Sequence, residues 1–291
     1  REAREGIDFF PLLVDYEERL YAAGKIKGSR WIKREGRATD DAILKGRVID
    51  RTLRPMFPEG MRNDIQIIAT VLSIDGVNEP DVVAVNAASM ALAISNIPYD
   101  GPIAGVRVGK VGGQYIVNPT NEQQKSSTMD LIVCGTGEHV IMVEMGAKLI
   151  SEAEIIEGVK FAQKYLSELV KCQMDFSKQL SKEKARPIIV DLHPEVLKKI
   201  KGILTDERID KMLYVADKNQ REENVHNMKM ELLEAVKLSL SDIAGVDPSS
   251  TTSSAYGVNL DKETASAMDK ILKKYTQKQI LEKERRVDGR K

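Results

Sequence analysis

Up to about Ser151 the apolar residues fall into short runs and two-residue alternations, and beyond it they recur at three- and four-residue spacings. The first part therefore predicts a mixed layer. Ile7 to Tyr16 reads as a mostly apolar strand and Ile65 to Ile74 (IQIIATVLSI) as a buried one, with Asp81 to Ser95 (DVVAVNAASMALAIS) a small-residue helix suited to packing closely on a sheet. Ile103 to Val111 and Gln114 to Val117 form a hairpin across Gly112-Gly113, and Met129 to Cys134 and Val140 to Glu144 form another pair around Gly135 to His139. Antiparallel strand pairs with helices between them indicate an α+β fold.

The second part predicts helices almost alone. A long one runs from about Ser151 to Lys171, with Ser151 and Glu154 spaced as a capping box, and the charged bridge SKQLSKEKARP follows it. Pro194 to Leu204, Asp206 to Tyr214, Asn219 to Leu240 and Asp261 to Lys278 then read as amphipathic helices, with the polar stretch Val246 to Gly257 among them. These helices make a separate, small all-α domain.

One more helix changes the picture because of its charge. Thr39 is placed as an N-cap, with Asp40 and Asp41 in the first turn, where carboxylates suit the helix dipole. Arg47, Arg51 and Arg54 then fall in a narrow wedge of one face, a row about 10 Å long, while Leu44, Val48, Thr52 and Met56 are expected on the neighbouring buried face. Like charges at this spacing repel, so an anion should lie opposite them. RNA phosphate and carboxylates across an interface are both open readings, since arginine serves either.

The preceding loop adds Arg30, Lys33, Arg34 and Arg37 around Trp31. Between Lys25 and Arg54 there are ten Lys or Arg against four Asp or Glu, in a chain of 291 residues whose formal net charge is zero. A local excess of that kind is a placed field, and its usual partner is a polyanion. An aromatic among cations suits single-stranded nucleic acid, whose bases stack on the ring while its phosphates meet the charges. An ordinary solvated loop with a half-buried Trp is the alternative.

Other residues offer less chemistry. No run approaches a membrane span and the N-terminus has no signal-type apolar stretch, so the chain reads as cytoplasmic, without a membrane partner. Cys134 and Cys172 have no metal-type spacing and read as buried free thiols. His139, His193 and His226 are scattered, the Ser249 to Ser254 stretch lacks a phosphate-loop context, and GKVGG at Gly109 to Gly113 reads as a hairpin turn. Asp75, Asp81 and Glu144 are near strand ends, but nothing in the sequence brings them together as a metal site. The residues alone predict no catalytic residue and no metal ligand.

The segments DFFPLLVDYEERLYAAGKIKGS, GRVIDRTLRPMFPEG, IQIIATVLSIDGVNEPDVVAVNAASMALA and MDLIVCGTGEHVIMVEMGAKLISE, in this order, closely resemble the bacterial polynucleotide phosphorylase family. The resemblance covers essentially the whole chain. It implies an RNase PH-like core (βα layers like those of ribosomal protein S5 domain 2) over residues 1–186, an α-helical domain over 187–284, and the beginning of a second core at 285–291. It also implies that the first core lacks its opening strands, leaving an unpaired edge and a looser α/β half.

The family's pore loop has two aromatics and two basic residues after a Gly-Ser pair. Here Trp31, Ile32, Lys33 and Arg34 match it, with Arg30 as an extra residue, and Ile32 in place of an aromatic implies weaker or asymmetric stacking. Arg37 matches the arginine of the family's EGR element, and Arg47, Arg51 and Arg54 match positions near RNA and the core–core interface. The implied activity is that of a phosphorolytic 3'-to-5' exoribonuclease degrading mRNA to nucleoside diphosphates. Inorganic phosphate is its co-substrate, and Mg²⁺ and the catalytic groups belong to the second core. The implied assembly is a homotrimer binding single-stranded RNA, with other RNA-degradation enzymes as further partners. The alternative is a non-catalytic structural or RNA-binding ring subunit.

Overall fold

The computed structural model describes residues 9–25, 38–187, 194–244 and 260–290. Its contacts divide the chain into two compact units, residues 1–190 and 191–291.

The first unit begins with strand β1 (Leu12–Glu18), and after helix α1 (Asp40–Leu53) the chain enters strand β2 (Ile65–Val71). These two strands pair in parallel, Leu12 opposite Ile65 and Glu18 opposite Val71, so β1, α1 and β2 form a βαβ crossover. The hydrophobic pattern pairs only the later strands, as antiparallel hairpins, and assigns these two no partner. A strand's pattern shows which residues face the core, but not which strand it pairs with.

Helix α2 (Asp81–Ile94) leads into strands β3 (Ala104–Val111) and β4 (Gln114–Val117), then helix α3 (Asn121–Ser126) and strands β5 (Met129–Gly135) and β6 (Val140–Ala147). The four strands form an antiparallel sheet in the order β4-β3-β5-β6. The β3–β4 turn is the expected one: Gly112 and Gly113 adopt φ of +57° and +83°, as a tight two-residue hairpin requires.

Period-two alternation gives this sheet two buried faces. Val106, Val108, Leu131 and Val133 pack on Ala162, Leu166 and Val170 of helix α4 (Glu152–Leu180). On the other face Ile132, Cys134 and Met142 join a larger core with Ile49 and Leu53 of α1 and Val85, Ala88 and Leu92 of α2, to which the ribbon contributes Leu12, Tyr16 and Ile65. Full burial of a side chain such as Ile49 or Leu53 stabilises by about 2–3 kcal/mol.

The expected cap of α4 is present, with Ser151 and Glu154 bonded reciprocally. The helix nevertheless continues nine residues past the expected end at Lys171. There the polarity inverts: Gln173 is buried and donates to Ile103 O at 3.0 Å, while Met174, Phe176 and Leu180 are exposed. The charged bridge after it is no free linker. Lys184 donates to the carbonyls of Leu92, Ala93 and Ser95 at 2.8–3.0 Å, satisfying the C-terminal end of α2.

In the second unit, α5 (Pro194–Ile203), α6 (Asp206–Leu213), α7 (Lys218–Ala244) and α8 (Leu260–Lys283) enclose Ile200, Ile209, Leu232 and Met268. The segment after α8 stays on this unit. Arg285 stacks over Tyr214 at 3.7 Å and meets Asp210 at 2.9 Å, and Val287 packs on the helical core. His193 and the polar stretch Val246 to Gly257 lie outside the described residues.

Candidate nucleic-acid interface

Helix α1 starts where its cap chemistry places it: Thr39 Oγ1 accepts from Ala42 N at 3.2 Å, with Asp40 and Asp41 in the first turn. Its buried face centres on Ile49 and Leu53 and includes Ala42, Gly46, Val48 and Thr52. Gly46 lies against β1, and a Cβ there would stand 3.3 Å from Val14 O. Leu44, expected on the buried face, is 55% exposed because it stands about 140° around the helix from Ile49. The exposed back of α1 is the arginine face.

The three arginines of that face have different partners. Arg54 is built into the fold: it donates to Phe10 O at 2.9 Å and Leu12 O at 3.1 Å, and to both oxygens of Asp50 at 2.7 and 3.3 Å. Its guanidinium also stands 5.7 Å from the Phe10 ring centre. It thereby fastens the start of β1 to the end of α1. Arg51 reaches Glu144 on β6, and both side chains are about half exposed, so this pair contributes no more than about 1 kcal/mol. Arg47 is exposed and has no partner among the described residues. Trp31, Lys33, Arg34 and Arg37 lie outside the described residues.

Grooves flank α1 on both sides. One of about 370 Å³ runs along β1 and is lined by Leu13, Asp15, Ile43, Arg47 and Asp50. The other, about 850 Å³, opens between α1 and β6 and is lined by Asp41, Lys45, Glu79, Asp81, Arg107, Asp130 and Glu144 among others.

The second groove is closed electrostatically from within. Arg107 on β3, only 12% exposed, donates from Nη1 to both oxygens of Asp130 at 2.9 Å and from Nη2 to the buried Asp81. Burial opposes the Arg107 charge, yet Asp81 and Asp130 raise its pKa further. Lys45 bonds Glu18 and Asp41 at 2.9 Å and Glu79 at 3.4 Å, and it stands over the Tyr16 ring. Burial works against its charge too, but the hydrogen bonds to Asp41 and Glu18 hold the ammonium above the usual lysine range. Sequence reasoning missed both cations. Their partners are up to 34 residues away, and the one signal in the chain is an arginine inside an alternating strand.

The acidic residues weighed as metal ligands are kept apart. Asp81 faces Arg107, Glu144 faces Arg51, and Asp75 accepts from the amides of Val77 and Asn78, which lower its pKa. Among the described residues no three His, Cys, Asp or Glu are grouped to hold a metal ion. Cys134 is buried, and burial pushes its thiol up to about 11. Cys172 is exposed, against the expectation of two buried thiols, because it lies on the outward side of the inverted end of α4. No described helix is long and apolar enough to cross a membrane.

A βαβ ribbon and an antiparallel sheet sharing two helices, with a basic segment leading into the first of them, define an α+β core followed by a helical unit. Residues 1–98 match domain 1 of the 3' exoribonuclease (RNase PH) family and residues 101–165 match domain 2, and the chain belongs to this family. It is similar to the polyribonucleotide nucleotidyltransferases of Halothermothrix orenii, 40% identical over 290 residues, and Heliobacterium modesticaldum, 39% identical over 291 residues. Each match covers all of this chain, and 40% and 38% of the respective relative. The enzyme of the same name from Desulfitobacterium hafniense is 43% identical over 237 residues, 80% of this chain and 32% of the relative. The chain thus spans about two fifths or less of the curated relatives it matches.

Proposed function

We propose that this chain is the RNA-guiding part of a phosphorolytic 3'-to-5' exoribonuclease of the polyribonucleotide nucleotidyltransferase kind. The carrying observation is Arg47, a cation on the exposed back of α1 with no partner among the described residues, just after a segment rich in Lys and Arg. Similarity over the whole of this chain, though only about two fifths of the relatives bearing that enzyme name, supports the reading. In the proposed reaction inorganic phosphate attacks the 3'-terminal phosphodiester, the bond from phosphorus to the 3' oxygen breaks, and a nucleoside diphosphate leaves while that oxygen takes a proton.

The residues of this chain hold and orient the strand. Trp31 stacks a base, and Lys33, Arg34, Arg37 and Arg47 meet phosphates, with Arg51 joining when it leaves Glu144. Arg54 holds α1 against β1 and keeps the row in place. A homotrimer would set three such segments around one strand, in the cytoplasm and beside other RNA-degrading enzymes. Mg²⁺ would supply charge stabilisation at phosphorus in the whole enzyme, and the described residues of this chain offer no group of three His, Cys, Asp or Glu to hold it.

Salt titration of binding to a single-stranded oligoribonucleotide tests the reading. Changing Lys33 and Arg34 to Ala should weaken binding and make the slope of log K against log salt shallower by about 0.7 per lost contact. An unchanged slope sinks the loop assignment. The alternative, a non-catalytic ring subunit, draws support from Arg51 and Arg54 having partners within the chain. As a pure scaffold it expects no salt-sensitive binding.

A further inference from the structure

The geometry points to Glu144 as an internal rival of RNA phosphate for Arg51, a contact that sets how readily the arginine face takes up a strand. This rests on the RNA reading above and goes beyond it. The large groove beside α1 carries five carboxylates, those of Asp41, Glu79, Asp81, Asp130 and Glu144. Four of them are taken by cations that are themselves well buried: Asp81 and Asp130 by Arg107, Asp41 and Glu79 by Lys45. In each of those contacts the cation is held inside the fold, with side-chain exposure of 12% for Arg107 and 14% for Lys45. Glu144 alone in the group is paired with a residue of the exposed arginine row, and that pair is open to water, with the side chains of Arg51 and Glu144 50% and 43% exposed.

An exposed single-contact ion pair is easily exchanged, and a phosphodiester, singly charged like the carboxylate, can accept two hydrogen bonds from the guanidinium where Glu144 accepts one. Arg51 stands one turn from the exposed Arg47, so a strand lying on Arg47 can engage Arg51 once Glu144 lets go. By holding Arg51, Glu144 thus lowers the affinity of the back of α1 for a strand. Arg54, with its four hydrogen bonds to Phe10, Leu12 and Asp50, takes no part in the exchange.

The test is a double-mutant cycle on the full chain with a labelled single-stranded oligoribonucleotide at about 0.1 M salt. Glu144→Gln keeps the shape of an exposed side chain, so folding is retained, and it should tighten binding by about two- to fivefold. Arg51→Ala should weaken it, and in the Arg51→Ala background Glu144→Gln should have little further effect. Unchanged or weaker binding by Glu144→Gln, with Arg51→Ala still weakening it, overturns the competition and leaves the RNA reading standing. An equal gain in both backgrounds makes Glu144 a general repulsive charge and also overturns it. If neither the unchanged protein nor any variant binds the strand, the RNA reading itself falls, and the rivalry with it.

Discussion

The four-stranded sheet and the β1–β2 ribbon share the helices α1 and α2, yet they are finished differently. The sheet is covered by α4 on one face and by α1 and α2 on the other, and the charge of Arg107 beside it is met by two carboxylates. The ribbon has two strands and open flanks. Leu13 is 55% exposed beside α1, and Ile68, Leu72 and Val83 are exposed around an apolar groove of about 500 Å³ between β2 and α2. A parallel pair is ordinarily covered on both faces. The difference teaches where to look for each role: stability concentrates in the sheet, and surfaces free to meet something else concentrate on the ribbon and the back of α1.

The two cysteines test the closed half of that contrast with the largest expected effect. A thiol reagent at neutral pH should modify the exposed Cys172 promptly and Cys134, buried in β5 with its thiol pushed up to about 11, about a thousandfold more slowly or less. Mass spectrometry of timed samples reads both rates. Equal rates would mean that the interior of the sheet is as open as the exposed end of α4.

Asp81→Ala should give the next largest effect. It removes one of two carboxylates from a mostly buried guanidinium and should cost about 3 kcal/mol in denaturant unfolding. Asp15→Ala, which removes only an exposed contact to Gln66 on the ribbon, should cost less than about 0.5 kcal/mol. Similar costs would erase the distinction between the two regions.

Much of the fold was legible because it is locally encoded. Helix α2 was expected over 81–95 and runs Asp81–Ile94, β4 lies where its alternation placed it, and the caps at Thr39 and Ser151 are present. The parallel pairing of β1 with β2 was not legible, since it joins residues about 50 apart with no local mark. The end of α4 was hidden because buried Gln173 interrupts the apolar period. Of the candidate site, the arginine wedge was legible as a helix face. Its division was not: the contacts of Arg54 to the Phe10 and Leu12 carbonyls and of Arg51 to Glu144 depend on elements 42 to 93 residues away.

That division is the central claim, and salt titration of single-stranded RNA binding on Arg47→Ala and Arg54→Ala, with unfolding measured on the same samples, tests it most directly. Arg47→Ala should leave stability unchanged and make the salt slope shallower by about 0.7, while Arg54→Ala should lower stability by about 1–2 kcal/mol and leave the slope nearly as it was. An unchanged slope for Arg47→Ala, or a stable Arg54→Ala protein that has lost a phosphate contact, would contradict the account.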